Sequence, residues 1–202
     1  MIESISSIVY SNEIITWTFF ITIYFLAGFL LKYIDAAFDD NLFNKKKAFT
    51  ASISLAVIAA ISMIISPTTT IIFFALILSL ILAKKVDNIT FILGAFSCFL
   101  IFFLLGGTIE PILNNLNIFV ILFLATLLEE KVDYKKGIFM KKQLNSKIRF
   151  LFEYGFMLKL SAIIAFIFLS FQPLFCISLI VFDFAYDAML CVSYKVKRKK
   201  LK

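Results

Sequence analysis

The chain has 202 residues, 62% hydrophobic and only 16% charged, with a formal net charge of +7 and 26 phenylalanines. A water-soluble domain of this length runs near half apolar and about a quarter charged, so the composition excludes one and predicts an all-helical, polytopic membrane protein. The lack of any histidine excludes Ser–His–Asp hydrolases, His-liganded zinc proteases, His-ligated haem and histidine proton relays.

The first 13 residues carry Glu3 and Glu13 and no Lys or Arg. An acidic front with no small-residue cleavage site behind it argues against a removable leader, so the first apolar run is read as a true helix. Seven apolar runs follow, near 14–31, 48–65, 68–83, 89–107, 112–128, 154–171 and 173–194. Each is read as crossing a hydrocarbon core of about 30 Å at 1.5 Å per residue, the third and fifth with help from flanking residues. Ser66-Pro67 and Gln172-Pro173 mark tight turns, and Gly106-Gly107 to Pro111 joins the fourth and fifth runs; proline suits a helix start. Ala51, Ser52, Ser54, Ala56, Ala59, Ala60 and Ser62 give the second run a small-residue face, which predicts close helix packing. Cys98, Cys176 and Cys191 lie inside apolar runs in no metal-ligand or CxxC spacing and read as small buried hydrophobes.

Basic residues set the expected topology. Lys32, Lys45, Lys46, Lys47, Lys84 and Lys85, the lysines and arginine between Lys131 and Arg149, and the basic tail at 195–202 all fall at alternate connections or the C-terminus. The positive-inside rule then puts the N-terminus outside and the C-terminus in the cytoplasm of a multi-pass cell-membrane protein. The positive charge belongs to the cytoplasmic face and suits anionic lipid headgroups rather than nucleic acid. No oligomeric state is implied.

Of the thirteen carboxylates, only Glu3, Glu13 and Glu110 fall outside; the rest sit on or near the cytoplasmic side, most of them in clusters that close the first, third and fifth runs and, as Asp183 and Asp187, within the seventh. Lys-Lys-Val-Asp at 84–87 and Glu-Lys-Val-Asp at 130–133 are similar, which suggests a duplicated hairpin. Carboxylates at a helix C-terminus oppose the macrodipole by roughly 0.3–1 kcal/mol each, so helix stability alone does not place them there. Asp35/Asp39, Glu129/Asp133 and Asp183/Asp187 are i,i+4 pairs, each on one helix face about 6 Å apart along the axis. Such pairs suit Mg²⁺ coordination to a diphosphate; solvated helix ends are the plain alternative.

Asp183 lies about 15 Å past Pro173 along a helix, near the bilayer midplane. An aspartate there costs about 2.5–3.5 kcal/mol to insert, so it faces the bundle interior and has a partner. Folding the sixth and seventh runs back about Gln172 sets Lys159 between Asp183 and Asp187. The three either form an ion pair that fixes packing or line a cavity for a substrate, ion or proton. The long basic connection at 129–153 is a lipid-surface segment, or a lid whose Lys131, Lys135 and Lys136 contact a headgroup or diphosphate. No Gly-rich phosphate loop, nucleotide fingerprint or G-x-S-x-G motif is present.

At two acidic clusters the sequence resembles the UbiA-type intramembrane prenyltransferases. Asp35-Ala36-Ala37-Phe38-Asp39 is similar to the last part of that family's first aspartate motif, and Glu129-Glu130-Lys131-Val132-Asp133, followed by Gly137, to its second. Leu31-Lys32 stands where the first motif opens with Asn-Asp, the second opens on Glu rather than Asp, and the family has nine spans. The resemblance implies a helical bundle in which Asp35, Asp39, Glu129 and Asp133 hold Mg²⁺ and a prenyl diphosphate.

Three classes of function follow. One is Mg²⁺-dependent transfer of a prenyl group, or of a lipid from its diphosphate, to a lipid-phase acceptor. The second is a transporter or channel built on Lys159, Asp183 and Asp187. The third is a non-catalytic membrane subunit. The outer halves of the helices are almost wholly apolar, so a cavity open to the cytoplasm and the bilayer is expected rather than a pore.

Overall fold

The computed structural model describes residues 2–38, 40–83, 89–135, 156–169 and 172–200. Among the described residues there is no strand. The helices are α1 (Ile2–Val9), α2 (Glu13–Phe38), α3 (Lys45–Ile65), α4 (Pro67–Leu82), α5 (Ile89–Leu104), α6 (Glu110–Asn114), α7 (Leu116–Lys135), α8 (Phe156–Leu169) and α9 (Pro173–Lys200). A helix occupies each of the seven apolar runs. Three stretches, Glu13–Phe38, Lys45–Ile65 and Pro173–Arg198, are long and apolar enough to cross a membrane. Pro67–Leu82, Ile89–Leu104 and Leu116–Leu128 are apolar but shorter; the 16 residues of α5 rise only about 24 Å.

The helix ends have local causes. α5 stops short of 107 because Gly106 takes φ 88. The Gly106 amide bonds the Phe103 carbonyl at 3.1 Å and the Gly107 amide bonds Phe102 at 2.9 Å. That is a Schellman stop, which glycine permits at least strain. The 112–128 run is divided at Asn115, whose side-chain amide donates to the Pro111 carbonyl at 3.1 Å; Asn competes for backbone groups and weakens helices. α2 runs on past residue 31 to Phe38, and the chain then turns through Asn41 at φ 53. The Leu42 amide returns to the Ala36 carbonyl at 3.1 Å. Asn44 caps α3, its side-chain oxygen accepting from the Lys46 amide at 2.9 Å, as N-cap asparagines do.

The chain divides into two compact units, Met1–Ser66 with Asn88–Thr108 and Ile177–Lys202, and Pro67–Asp87 with Ile109–Cys176. In the first, α2 packs on α3 and α3 on α5, while α1 touches both α2 and α3. The Tyr10 phenol donates to the Ile65 carbonyl at 3.4 Å. Burial pushes its pKa up, with a hydrogen bond to Ser66 acting the other way.

Ser52, on the small-residue face of α3, donates to the Thr90 carbonyl of α5 at 3.1 Å. A Cβ on Gly94 would stand 2.4 Å from the Ser52 Oγ, so glycine sets the close approach of the two helices. Further along, the Cys98 Sγ lies 3.9 Å from the Met63 Sδ. The pairs Ser52/Thr90 and Met63/Cys98 advance together, so α3 and α5 run parallel.

In the second unit α4 packs on α7 and α6, and α7 on α8. α4 buries every residue from Thr69 to Leu76, the pattern of a helix enclosed all round. Elsewhere large apolar side chains such as Phe96, Leu104 and Phe184 stand exposed, a surface suited to hydrocarbon rather than water. In a bilayer such surface is already solvated by lipid, and helix association then rests on close packing and hydrogen bonds, which small residues allow.

Candidate functional site

The strongest concentration of unusual chemistry in the first unit lies where α2 meets α9. A Cβ on Gly28 would stand 2.0 Å from the Phe182 carbonyl oxygen, so the α9 backbone rests directly on this glycine. One turn further, the Lys32 Nζ lies 5.2 Å from the centre of the Tyr186 ring, within cation–π range. Gly28/Phe182 and Lys32/Tyr186 are each four residues apart on both helices, so α2 and α9 run parallel in constant register.

Lys32 also pairs with Asp35, i,i+3 on its own helix, the two side chains keeping 12% and 27% of their exposure. Toward the C-terminal end of the seam, Lys197 bonds Asp40 at 2.7 Å, with both side chains more open. Asp183 and Asp187 each follow by one residue those that meet α2, about 100° further round α9. Asp183 is partly buried and Asp187 exposed. Along this stretch the seam sets the Lys32 ammonium between the Asp35 carboxylate and the Tyr186 ring, with Asp183 and Asp187 one residue further round α9.

The remaining expected residues fall as follows. Asp39 and Lys136 lie outside the described residues. Glu129, Lys131, Asp133 and Lys135 occupy the last turns of α7, so Glu129 and Asp133 keep i,i+4 spacing on one continuous helix. Lys159 sits on α8 in the second unit, partly buried; Asp183 and Asp187 belong to the first.

Among the described residues no three Asp, Glu or Cys side chains converge as metal ligands. Asp35, the described member of its expected Mg²⁺ pair, is occupied by the Lys32 ammonium. An ammonium on a carboxylate repels a dication, so a cation at Asp35 would have to displace Lys32.

Lys32 and Tyr186 were not among the expected site residues. The available signal was Gly28, Lys32 and Asp35 at helical spacing on one face of a span, with Tyr186 between two aspartates on another. No protein-family model matches the chain, and no curated protein or solved structure is significantly similar to it.

Proposed function

We propose that this chain is a seven-span helical protein of the cell membrane, N-terminus outside and C-terminus cytoplasmic. Its site takes a proton or small cation from the cytoplasmic side at the α2–α9 seam, in the manner of a transporter. The observation that carries the proposal is the part-buried Lys32–Asp35 pair with Tyr186 over the ammonium, on a seam whose α9 also carries Asp183 and Asp187. Ionisable groups inside a bilayer are expensive and mark ion or proton sites. Helix directions support the topology: with seven alternating crossings the first and last spans point the same way, as do the second and fourth, and α2/α9 and α3/α5 are parallel. A proton or cation that reaches these carboxylates competes with the Lys32 ammonium for Asp35. Lys32 holds Asp35 until a competing cation displaces it.

The test is reconstitution into liposomes with a pH-sensitive dye inside, together with calorimetric titration of Na⁺, K⁺ and Mg²⁺ in detergent. Proton flux or saturable cation binding is expected, and Asp183→Asn should abolish it. Neither flux nor binding from a folded protein would overturn the proposal. The continuous Glu129/Asp133 helix face keeps a second reading in view, a lipid-diphosphate transferase. Prenyl diphosphate bound only with Mg²⁺, and lost in Glu129→Gln, would put that reading first.

A further inference from the structure

Away from the Lys32 site, the outer half of α2 carries an open groove of about 390 Å³ lined by Glu13, Ile14, Trp17, Thr18, Ile21 and Thr22. At 100° per residue, Ile14, Trp17 and Ile21 project within about 40° of the mean direction of Gly28 and Lys32. The groove therefore prolongs the face of α2 that α9 covers lower down. In the register fixed by Gly28/Phe182, Ile177, where α9 enters the first unit, is level with Ile23.

We infer that this groove holds the headgroup and upper acyl chain of an outer-leaflet phospholipid bearing an ammonium group. Charge complementarity points to the ammonium. Glu13 is an exposed carboxylate at the rim, and the outer connections contain no Lys or Arg to compete for it. Trp17 sets an indole beside that carboxylate, and an ammonium binds between a carboxylate and an aromatic ring. Tryptophan at this depth is also the residue of the membrane interface. The Thr18 hydroxyl donates to the Ile14 carbonyl at 2.8 Å, which leaves its oxygen lone pairs as acceptors. From Glu13 to Thr22 the groove descends about 14 Å, from headgroup level to the first acyl carbons. Ile14 and Ile21 supply the apolar wall. The placement of Glu13 in the outer leaflet rests on the topology proposed above.

The experiment is native mass spectrometry of the full chain in detergent, offered equal amounts of phosphatidylethanolamine, phosphatidylcholine and phosphatidylglycerol with identical acyl chains. The two ammonium lipids should be retained and phosphatidylglycerol lost. Glu13→Gln and Trp17→Leu should each lower retention about fivefold or more, the scale of one charge-assisted or cation–π contact. Trp17→Phe should keep most of it, and Glu110→Gln, which removes another outer carboxylate, should change nothing. Equal retention of phosphatidylglycerol, or no effect of Glu13→Gln, overturns the assignment. So does a dimer that dissociates in Trp17→Leu, which would seat a second copy of the chain in the groove. Sidedness is read separately, from labelling of Ser11→Cys in sealed cells. Labelling from inside alone would sink the topology without touching lipid selectivity in micelles.

Discussion

Gly28→Ala tests whether the α2–α9 seam is built as described. The added Cβ would lie 2.0 Å from the Phe182 carbonyl oxygen, 2.9 Å from its carbon and 3.2 Å from its Cα. A carbon resting on a carbonyl oxygen needs about 3.3 Å, so the helices must part by more than an ångström. The obstacle is backbone, which cannot rotate aside as a side chain can. Overpacking of this kind costs about 1–3 kcal/mol, and a rigid neighbour argues for the upper part of that range. Alanine returns about 1 kcal/mol of helix propensity. The net expectation is a loss of about 1–2 kcal/mol, read from thermal or SDS-induced unfolding in micelles. The separation also carries Lys32 away from Tyr186, where 5.2 Å is close to the outer limit of the contact, about 6 Å.

Gly94→Ala is the matched comparison. Its Cβ would meet the Ser52 Oγ at 2.4 Å, but that hydroxyl can turn away. It gives up one bond to Thr90, worth about 0.6 kcal/mol in a membrane protein, against a similar propensity gain. Gly94→Ala should be near neutral, and adding Ser52→Ala should remove the clash altogether. Phe182→Ala should not rescue Gly28→Ala. A Gly28→Ala protein as stable as the wild type, or rescued by truncating Phe182, would refute the backbone-contact argument.

Three further outcomes are expected. Lys32→Met should destabilise by about 2 kcal/mol, less than the 3–5 kcal/mol for a fully buried pair, because Asp35 keeps 27% exposure; Lys32→Met with Asp35→Leu should recover most of it, and an unchanged melting temperature for the single variant would deny the pair a structural role. In a background lacking the native cysteines, Ile109→Cys should label from outside sealed cells and Lys45→Cys should not; the reverse would invert the proposed topology. Burial raises the Tyr10 pKa above its ordinary 10.0, so the folded state favours the neutral phenol. Its contribution is complete below about pH 10 and is lost as pH climbs toward the folded value. Wild-type stability should therefore fall slightly more steeply than that of Tyr10→Phe above pH 10, the ring being half-exposed, and parallel curves would show the phenol no less solvated in the folded state.

Apolar runs located the helices well because continuous hydrophobicity is a local signal. Their ends were less legible. The Gly106-Gly107 stop needed recognition that glycine closes a helix two residues before the apolar character fades, and Asn115 was absorbed into a run that its side chain divides. The apolar run of α2 stops at Leu31, but the helix goes on to Phe38. Charge does not end a helix, and Lys32, Tyr33, Ile34 and Asp35 continue the helical stripe without a breaker. The small residues of α3 were legible as a packing face; their partner on α5, across two turns of chain, was not. Hairpin arithmetic relates only neighbouring spans, so it could set Lys159 level with Asp183 but could not bring α2 beside α9. That register depends on residues more than 150 positions apart, and single-sequence periodicity carries no information about it.

The order of groups along α2 explains why glycine stands at 28. An ammonium on a helix long and apolar enough to cross a membrane is tolerable there only if protein covers it, and Lys32 keeps just 12% of its exposure. The cover includes Tyr186, one turn beyond Phe182 on α9, and a ring reaches the ammonium only if the helix axes have already come close. At Gly28 nothing separates the two backbones, so the closest approach falls one turn before the charge it shelters. A larger residue there would open the seam at Lys32 before it disturbed the apolar packing above. Stability and the ionisable site are thus coupled through a single missing methyl group. Substitutions graded by size at position 28 should therefore alter cation or proton binding in the same order as they lower the melting temperature. A series in which stability falls while binding stays constant would separate the two and place the functional charge elsewhere.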